Sequence, residues 1–243
     1  MTLFLASVRD AGEAEMAIGA GADIVDLKDP GAGALGALAP ATVDACVRAI
    51  GGRVPVSATI GDVPLEQEGV RAAVLSMAAR GVDYVKLGLF PGGDGERCLT
   101  MLASLTPQIR LILVLFADAL SEIDAIRLAA RIGASGVMLD TFGKSGVSLP
   151  DLVSAGRLAA LIESARARGL TIGLAGSLQA RHVPELLVLG PDLVGFRGAL
   201  CRGGKRGQPL DPVRLACIRG LIPKNRDVAR EANLPDRPQL TLC

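Results

Sequence analysis

Short runs of aliphatic and β-branched residues alternate along the chain with longer stretches in which apolar residues recur at helical spacing. The short runs, which predict strands, are Leu3–Val8, Asp23–Lys28, Val54–Thr59, Asp83–Gly88, Arg110–Leu115, Ser135–Asp140, Leu170–Gly176 and Asp192–Gly198. The longer stretches, which predict helices, are approximately Ala11–Gly19, Pro40–Ile50, Leu65–Arg80, Gly95–Leu105, Ser121–Ile132, Leu149–Arg168, Ala180–Leu189 and Asp211–Leu221. This alternation predicts an α/β fold, a single (β/α)8 TIM barrel.

The barrel is expected to occupy residues 1–222, and residues 223–243 form a polar tail. Two Rossmann-like halves are the structural alternative, but no G-x-G-x-x-G motif follows the first strand. A repeated frame, Gly-x-Asp/Ser-x-Val, favours the barrel. It begins at Gly21, Gly81, Gly133 and Gly190, ahead of the second, fourth, sixth and eighth strands. Each glycine is expected to end a helix in a left-handed conformation, and the frame gives these strands one register.

That register predicts which side chains face the lumen of the barrel, because side chains alternate along a strand. With the valine of each frame turned to the helices, one lumen layer contains Asp26, Lys86, Met138 and Gly195. The next layer towards the carboxyl ends contains Lys28, Gly88, Asp140 and Arg197. Such layers are usually aliphatic, and active sites lie at this end of a barrel. The charged layers therefore predict an active site.

Composition narrows the possible functions. Twenty-six basic and 25 acidic residues give a net charge of +1. This balance does not indicate the basic surface that binds nucleic acid or an anionic membrane. The N-terminus is typical of a strand and not of a signal peptide, so we expect a cytoplasmic protein. The single histidine, His182, is expected to be structural or on the surface. Because one histidine and five scattered cysteines offer no cluster of metal ligands, the sequence predicts no metal site, and we expect no cofactor.

Lysine is scarce, with five residues against 21 arginines, so each lysine is a candidate for chemistry that needs an amine able to lose its proton. Lys28 and Asp26 end one strand on the same face. A lysine beside a second cation, here Lys86, has its pKa lowered and can form a Schiff base with a carbonyl. Lys86 could itself act as a general base. The alternative is a buried Lys–Asp ion pair that only fills the barrel.

Asp140 ends the sixth predicted strand, where an aspartate is typical of catalysis, and Lys144 follows on a glycine-flanked loop. Lys144 is equally compatible with an ordinary solvated loop. The remaining lysines, Lys205 and Lys224, are interpreted as surface charges. Asp62, after the third strand, is a weaker candidate for the site.

Phosphate binding is expected from the loops after the seventh and eighth strands. The first contains Gly176 and Ser177, and the second contains Arg197 and Gly198. Glycines let backbone N–H groups approach an anion, while the serine and arginine can donate further bonds. The glycine-rich loop 29–36 after the second strand is either a lid or a connector.

Six ordered segments resemble the (5-formylfuran-3-yl)methyl phosphate synthase family, from about Leu3 to Gly204. They are Ser7-Val-Arg9-Asp10, Gly21-Ala-Asp-Ile-Val-Asp-Leu-Lys28, Ser57-Ala-Thr-Ile-Gly-Asp62, Asp83-Tyr-Val-Lys-Leu-Gly88, Leu174-Ala-Gly-Ser-Leu178 and Val194-Gly-Phe-Arg-Gly-Ala199. The resemblance implies a class I aldolase-like barrel. It implies that two glyceraldehyde 3-phosphates condense to a phosphorylated furaldehyde, with loss of phosphate and water, in methanofuran or methylofuran biosynthesis.

The resemblance also implies roles for residues that the layer argument selects. Lys28 corresponds to the family's Schiff-base lysine and Lys86 to its proton-accepting lysine, with Asp26, Asp140 and Lys144 as supporting groups. The implied partner is a small-molecule triose phosphate, and a homo-oligomer remains open. Two alternatives stay open as well: another class I aldolase or isomerase of sugar phosphates, and a non-catalytic phosphate-binding barrel.

Overall fold

The structure is a computed structural model and describes residues 1–90, 95–117, 122–143 and 146–224. Eight parallel strands close into a barrel in which each strand pairs with the next and the last pairs with the first. They are β1 (Leu3–Val8), β2 (Ile24–Leu27), β3 (Val56–Thr59), β4 (Tyr84–Gly88), β5 (Leu111–Phe116), β6 (Gly136–Asp140), β7 (Thr171–Leu174) and β8 (Leu193–Phe196). The predicted barrel and all eight strand positions are confirmed.

Helices follow the strands on the outside of the barrel. They are α1 (Ala11–Gly19), α2 (Pro40–Ile50), α3 (Gln67–Ala78), α4 (Gly95–Leu102), α5 (Glu122–Arg131), α6 (Leu149–Leu152), α7 (Ala155–Arg166), α8 (Val183–Leu189) and α9 (Pro212–Leu221). The single helix predicted over Leu149–Arg168 is divided. The hydroxyl of Ser154 accepts a hydrogen bond from the amide of Arg157 at 3.3 Å, which caps α7 and ends the preceding turn.

The glycine frame behaves as predicted, since Gly21, Gly81, Gly133 and Gly190 all have φ between 69° and 85°. The aspartates of the frame have a further role that the sequence analysis did not identify. The carboxylates of Asp23, Asp83 and Asp192 accept hydrogen bonds of 2.8 Å from amides at the start of the preceding odd-numbered strands, at Phe4, Val56 and Ile172. Three of the four frames thus connect an even strand to the odd strand before it.

Apolar side chains share the lumen of the barrel with the charged layers. The main core fills the space between the strands and the helices. A smaller cluster includes Leu5, Val114, Phe116 and Met138. Strand register places Val114 beside Met138 and Phe116 beside Asp140, so this apolar cluster lies next to the charged residues at the carboxyl ends of the strands.

The predicted polar tail lies outside the described residues from position 225 onward. None of the helices within the described ranges combines the length and apolar character that a membrane crossing requires.

Candidate active site

A cavity of about 410 Å³ opens at the carboxyl ends of the strands. Eight of the nine residues predicted for the site line it: Asp26, Lys28, Lys86, Asp140, Gly176, Ser177, Arg197 and Gly198. The ninth, Lys144, lies outside the described residues. Of the two predicted lumen layers, Gly88 alone does not line the cavity. A Cβ at Gly88 would lie 2.6 Å from the ring of Phe90 and 2.7 Å from Leu35, so those two side chains occupy the space in front of it.

Asp26 is the centre of a buried hydrogen-bond network at the base of the cavity. Its Oδ1 accepts from the hydroxyl of Ser57 at 2.6 Å and from the Lys86 ammonium at 3.0 Å, and its Oδ2 accepts from the hydroxyl of Ser7 at 2.8 Å. Strand register causes this arrangement, because Ser7 and Ser57 are the residues paired with Asp26 on the two neighbouring strands. Asp26 is 1% exposed and Lys86 is 3% exposed, so the carboxylate holds the ammonium in a fixed position with water excluded.

Lys28 lies one layer above, beside a different carboxylate. Its Nζ is 3.6 Å from Oδ2 of Asp140, an ion pair longer than a hydrogen bond. The backbone amide of Thr141 donates to Oδ1 of Asp140 at 2.7 Å and orients this carboxylate. Each lysine therefore has its own aspartate: Lys86 pairs with Asp26, and Lys28 with Asp140. Two amines with separate proton acceptors, both facing one cavity, can divide carbonyl attack and proton transfer between them.

The loop after β7 has unusual backbone geometry where a phosphate site is predicted. Gly176 has φ of 92°, and Ser177, with φ of 51°, is the single non-glycine residue with positive φ among those described. A Cβ at Gly176 would lie 2.8 Å from Cγ2 and 2.9 Å from the amide nitrogen of Thr141. Glycine is therefore required for this loop to pack onto the end of β6. A strained serine on a cavity wall is typical of a binding site.

The single histidine supports this same loop. Nδ1 of His182 accepts a hydrogen bond from the amide of Gln179, which lines the cavity, at 3.1 Å. Burial lowers the pKa of His182, and the nearby charge of Arg181 acts in the same direction. A neutral imidazole is the form that accepts this bond, so the geometry agrees with the structural role expected for His182.

The loop after β2 is held in place by residues of neighbouring strand ends. The Asp62 carboxylate accepts from the amides of Ala34 and Leu35 at 2.8 and 2.7 Å. A Cβ at Gly33, where φ is 114°, would lie 2.1 Å from Oδ2 of Asp62. Asp62 thus organises this loop and is not among the residues that line the cavity.

Arg197 lines the cavity as predicted, but its guanidinium is fully used within the protein. It forms a buried ion pair with Glu13, donating to both carboxylate oxygens. It also donates to three backbone carbonyls: Ser7 at 3.2 Å, Arg206 at 2.9 Å and Gln208 at 3.0 Å. Arginine has five N–H donors, and these contacts occupy all five. That Arg197 binds substrate phosphate stays a prediction, and such binding would require the guanidinium to give up one of these hydrogen bonds.

Gly198 allows the chain after β8 to fold back closely over the strand end. A Cβ there would lie 3.3 Å from the carbonyl oxygen of Gly204 and 3.9 Å from Arg206. The folded-back segment brings Lys205 and Arg206 into the cavity wall. Lys205 is exposed, as predicted, but it is also part of the site.

Sequence reasoning missed five residues of the site: Ser7, Glu13, Ser57, Lys205 and Arg206. Ser7 and Ser57 lie within segments already identified as motifs, and the register of the barrel would have placed them beside Asp26. Glu13 gave no comparable signal. It meets Arg197 across 184 positions of sequence and has the appearance of an ordinary first-turn helix glutamate.

Comparison with known proteins shows which sequences this chain resembles. The family profile described as 4-HFC-P synthase matches residues 4–219. A Methanocaldococcus jannaschii protein named (5-formylfuran-3-yl)methyl phosphate synthase is 34% identical over 84% of this chain and 92% of its own length. A Methylorubrum extorquens protein that carries the same name provisionally is 47% identical over 87% of this chain and 88% of its own.

Solved structures agree on the fold. Phosphoribosyl anthranilate isomerase from Thermus thermophilus superposes with a TM-score of 0.65 at 17% identity, covering 91% of this chain and 98% of its own. A Streptococcus agalactiae protein named provisionally as the copper homeostasis protein CutC gives a TM-score of 0.67 at 16% identity, covering 80% of this chain and 98% of its own. At these identities the likeness concerns the barrel alone.

Proposed function

Because the chain belongs to the 4-HFC-P synthase family and is an enzyme, we propose that it condenses two molecules of glyceraldehyde 3-phosphate into (5-formylfuran-3-yl)methyl phosphate, for a methanofuran-type cofactor. The two trioses supply all six carbons, and the product keeps one phosphate. One orthophosphate and two waters leave. The observation that carries the proposal is the pair of lysines, each with its own aspartate, in one cavity.

In the proposed first step, the neutral amine of Lys28 attacks the aldehyde carbon of one triose. The C–N bond forms, the carbonyl oxygen leaves as water, and an iminium ion remains. Lys28 must first lose its ammonium proton, and the Asp140 carboxylate at 3.6 Å is placed to accept it. The iminium then withdraws electrons from the adjacent carbon and makes its proton acidic.

In the second step, the amine of Lys86 removes that α-proton and gives an enamine. Lys86 becomes a base when its own ammonium proton passes to Asp26 across the 3.0 Å hydrogen bond. The enamine carbon attacks the second aldehyde, which forms the C–C bond and regenerates the iminium. Loss of phosphate and of one water from the condensed chain, hydrolysis of the imine, and ring closure with loss of a further water complete the furan and restore the Lys28 amine. Since the water consumed in hydrolysis equals the water released when the imine formed, two waters leave overall.

The loop containing Gly176 and Ser177 is proposed to bind a phosphate group of the substrate. Its support is the positive φ of both residues, which turns the backbone into a concave wall of the cavity. Ser177 adds a hydroxyl donor at this point. The proton transfers belong to the two lysine–aspartate pairs and not to this loop.

The reaction is tested by incubating the purified chain with glyceraldehyde 3-phosphate. We expect a furan absorbance, a product of the mass of (5-formylfuran-3-yl)methyl phosphate, and one orthophosphate released per product. Borohydride added during turnover should leave a triose adduct on the peptide that contains Lys28. An adduct with no furan and no phosphate release would indicate an ordinary aldolase or isomerase. Triose phosphate binding with no trapped adduct would indicate a non-catalytic barrel.

A further inference from the structure

Arg206 differs from the other arginine of the cavity wall in how its guanidinium is used. It donates one hydrogen bond, from Nη2 to the carbonyl oxygen of Gly33 at 2.9 Å. Within the described part of the chain, no carboxylate lies within 4.0 Å of its guanidinium, whereas Arg197 uses all five of its N–H groups. Arg206 therefore presents several donors to the cavity.

Arg206 is a half-buried cation. Burial lowers the pKa of its guanidinium, the carboxylates of Asp140, Asp62 and Asp29 oppose this effect, and the charge of Arg197 adds to it. An arginine remains protonated at neutral pH despite such a shift. A half-buried cation without an ion pair carries a desolvation cost that a bound anion would offset. The guanidinium fork also matches the geometry of a phosphate, to which it can donate two parallel hydrogen bonds.

Arg206 and the Gly176–Ser177 loop follow neighbouring strands but reach along the cavity rim in opposite directions. The loop follows β7 and packs against Thr141, at the end of β6. Arg206 lies after β8 and donates to Gly33, in the loop after β2. In the barrel order β6-β7-β8-β1-β2 the two segments therefore make contacts that lead away from one another. Each segment adds its own group of donors to the cavity wall.

We propose that Arg206 forms a second phosphate subsite, which binds the phosphate monoester of the second triose while the Gly176–Ser177 loop binds that of the first. The choice of ligand rests on the proposed function, because a condensation of two triose phosphates brings two phosphate groups into one cavity. The exposed ammonium of Lys205, next in the chain and also in the cavity wall, adds positive charge to this subsite.

Arg197 is the positioning residue of this subsite. Its Nε donates to the carbonyl oxygen of Arg206 at 2.9 Å, and its Nη2 donates to that of Gln208 at 3.0 Å. Glu13 completes the support, since its Oε1 accepts from the amide of Leu210 at 3.2 Å while the carboxylate pairs with Arg197. Two points of the backbone around Arg206 are thus fixed to the end of β8 and to α1.

The hydrogen bond to Gly33 links the subsite to the loop that directly follows Lys28 in the chain. Asp62 holds the other side of that loop through the amides of Ala34 and Leu35. The Gly33 carbonyl occupies one N–H of Nη2 and so fixes the Arg206 side chain. A guanidinium can donate two parallel hydrogen bonds through Nε with Nη2 or through Nη1 with Nη2, and one of these two pairs stays available to a ligand.

Calorimetry with sn-glycerol 3-phosphate tests the subsite apart from catalysis, because this triol phosphate has no carbonyl and forms no imine. We expect the wild-type chain to bind two equivalents and Arg206→Ala to bind one. Arg206→Lys, which keeps the charge but not the fork, should bind the second equivalent at least tenfold more weakly. The control is Arg202→Ala, an exposed arginine of the same segment that is not in the cavity wall, and it should bind two equivalents normally.

Kinetics gives a second readout. Arg206→Ala should raise the KM for glyceraldehyde 3-phosphate at least tenfold, and one triose should still be trapped on Lys28 by borohydride. A single equivalent bound by the wild-type chain, or two equivalents of unchanged affinity bound by Arg206→Ala, would overturn the subsite. If the wild-type chain binds two equivalents and Arg206→Ala binds one, but the wild type makes no furan, the subsite is supported and the proposed reaction is refuted.

Discussion

The cavity has two halves that are built by different means. In one half, Asp26, Lys28, Lys86 and Asp140 project from strands or directly from strand ends, and each is at most 8% exposed. In the other half, Ser177 and Arg206 lie in the segments after β7 and β8, at positions set by positive φ angles and by long-range contacts. In the proposed mechanism the reacting amines therefore lie on rigid elements, and anion binding is left to loops.

The difference predicts two kinds of kinetic defect. A change in the strand half should lower kcat, because the proposed mechanism has the amines and carboxylates act on reacting atoms. A change in the loop half should mainly raise KM, because the proposed role of these groups is to contact a phosphate that stays bound throughout the reaction. A strand-half variant that mainly raises KM, or a loop-half variant that mainly lowers kcat, would contradict this division.

The largest effect is expected for Lys28→Arg. Arginine keeps the positive charge beside Asp140 but does not deprotonate, so it cannot form an imine. Turnover should fall to the background rate, and the borohydride adduct should disappear, while the melting temperature stays close to that of the wild type. Substantial residual activity, or an adduct that maps to Lys86, would show that the roles of the two lysines are wrongly assigned.

Lys86→Arg should come next, with a fall in kcat of about 10²- to 10⁴-fold, the usual contribution of a general base. The charge beside Asp26 is preserved, and Lys28 keeps its own aspartate. The variant should therefore still give a trapped adduct with glyceraldehyde 3-phosphate, in contrast to Lys28→Arg. Loss of the adduct in both variants would mean that Lys86 is needed for carbonyl attack and not only for proton transfer.

The strand half of the site could be predicted from the sequence, whereas the loop half could be predicted only in outline. Alternation along a strand fixes the facing of Asp26 and Lys28 two residues apart, and the repeated glycine frame extends this register to Lys86 and Asp140. This prediction needs no knowledge of contacts between residues distant in the sequence. The order of the strands in the barrel likewise indicates which loops are candidates for phosphate binding.

The roles of Arg197 and Arg206 could not be predicted, because they depend on where the chain returns after β8. Both are arginines close to glycines, and the sequence gives no reason to prefer the second. The distinction arises from Glu13, which occupies the guanidinium of Arg197 from the first turn of α1. Local pattern carries no information about a contact between residues so far apart in the chain.

Glu13→Gln tests that distinction and should have an intermediate effect. Removing the carboxylate leaves the buried Arg197 charge uncompensated, at a cost of about 3 kcal/mol in unfolding free energy. The segment that carries Arg206 should lose its support, so KM should rise about tenfold and denaturant unfolding should shift to lower concentration. If Arg197 were itself the phosphate ligand, freeing it from Glu13 would tighten substrate binding instead.

Glu15→Gln is the matched control for that variant. Glu15 lies on the same helix but pairs with Arg53 at the surface, where both side chains are about half exposed. Exposed ion pairs contribute about 0–1 kcal/mol, so stability and KM should change little. A similar loss in both variants would point to a general effect on α1.

The smallest expected effect separates two serines that contact the same carboxylate. Ser57 donates to Oδ1 of Asp26, the oxygen that also accepts from Lys86, whereas Ser7 donates to Oδ2. A hydrogen bond to a charged group contributes about 1.5–3 kcal/mol, part of which water can restore.

Ser57→Ala should therefore lower kcat by roughly tenfold, because Oδ1 of Asp26 loses a donor that fixes it against Lys86. The KM of this variant should stay nearly constant. Ser7→Ala should lower kcat less, because it leaves both bonds at Oδ1 intact. Steady-state kinetics of the two variants decides the matter: equal losses in kcat would mean that Asp26 acts through its overall orientation and not through the oxygen that holds the Lys86 ammonium.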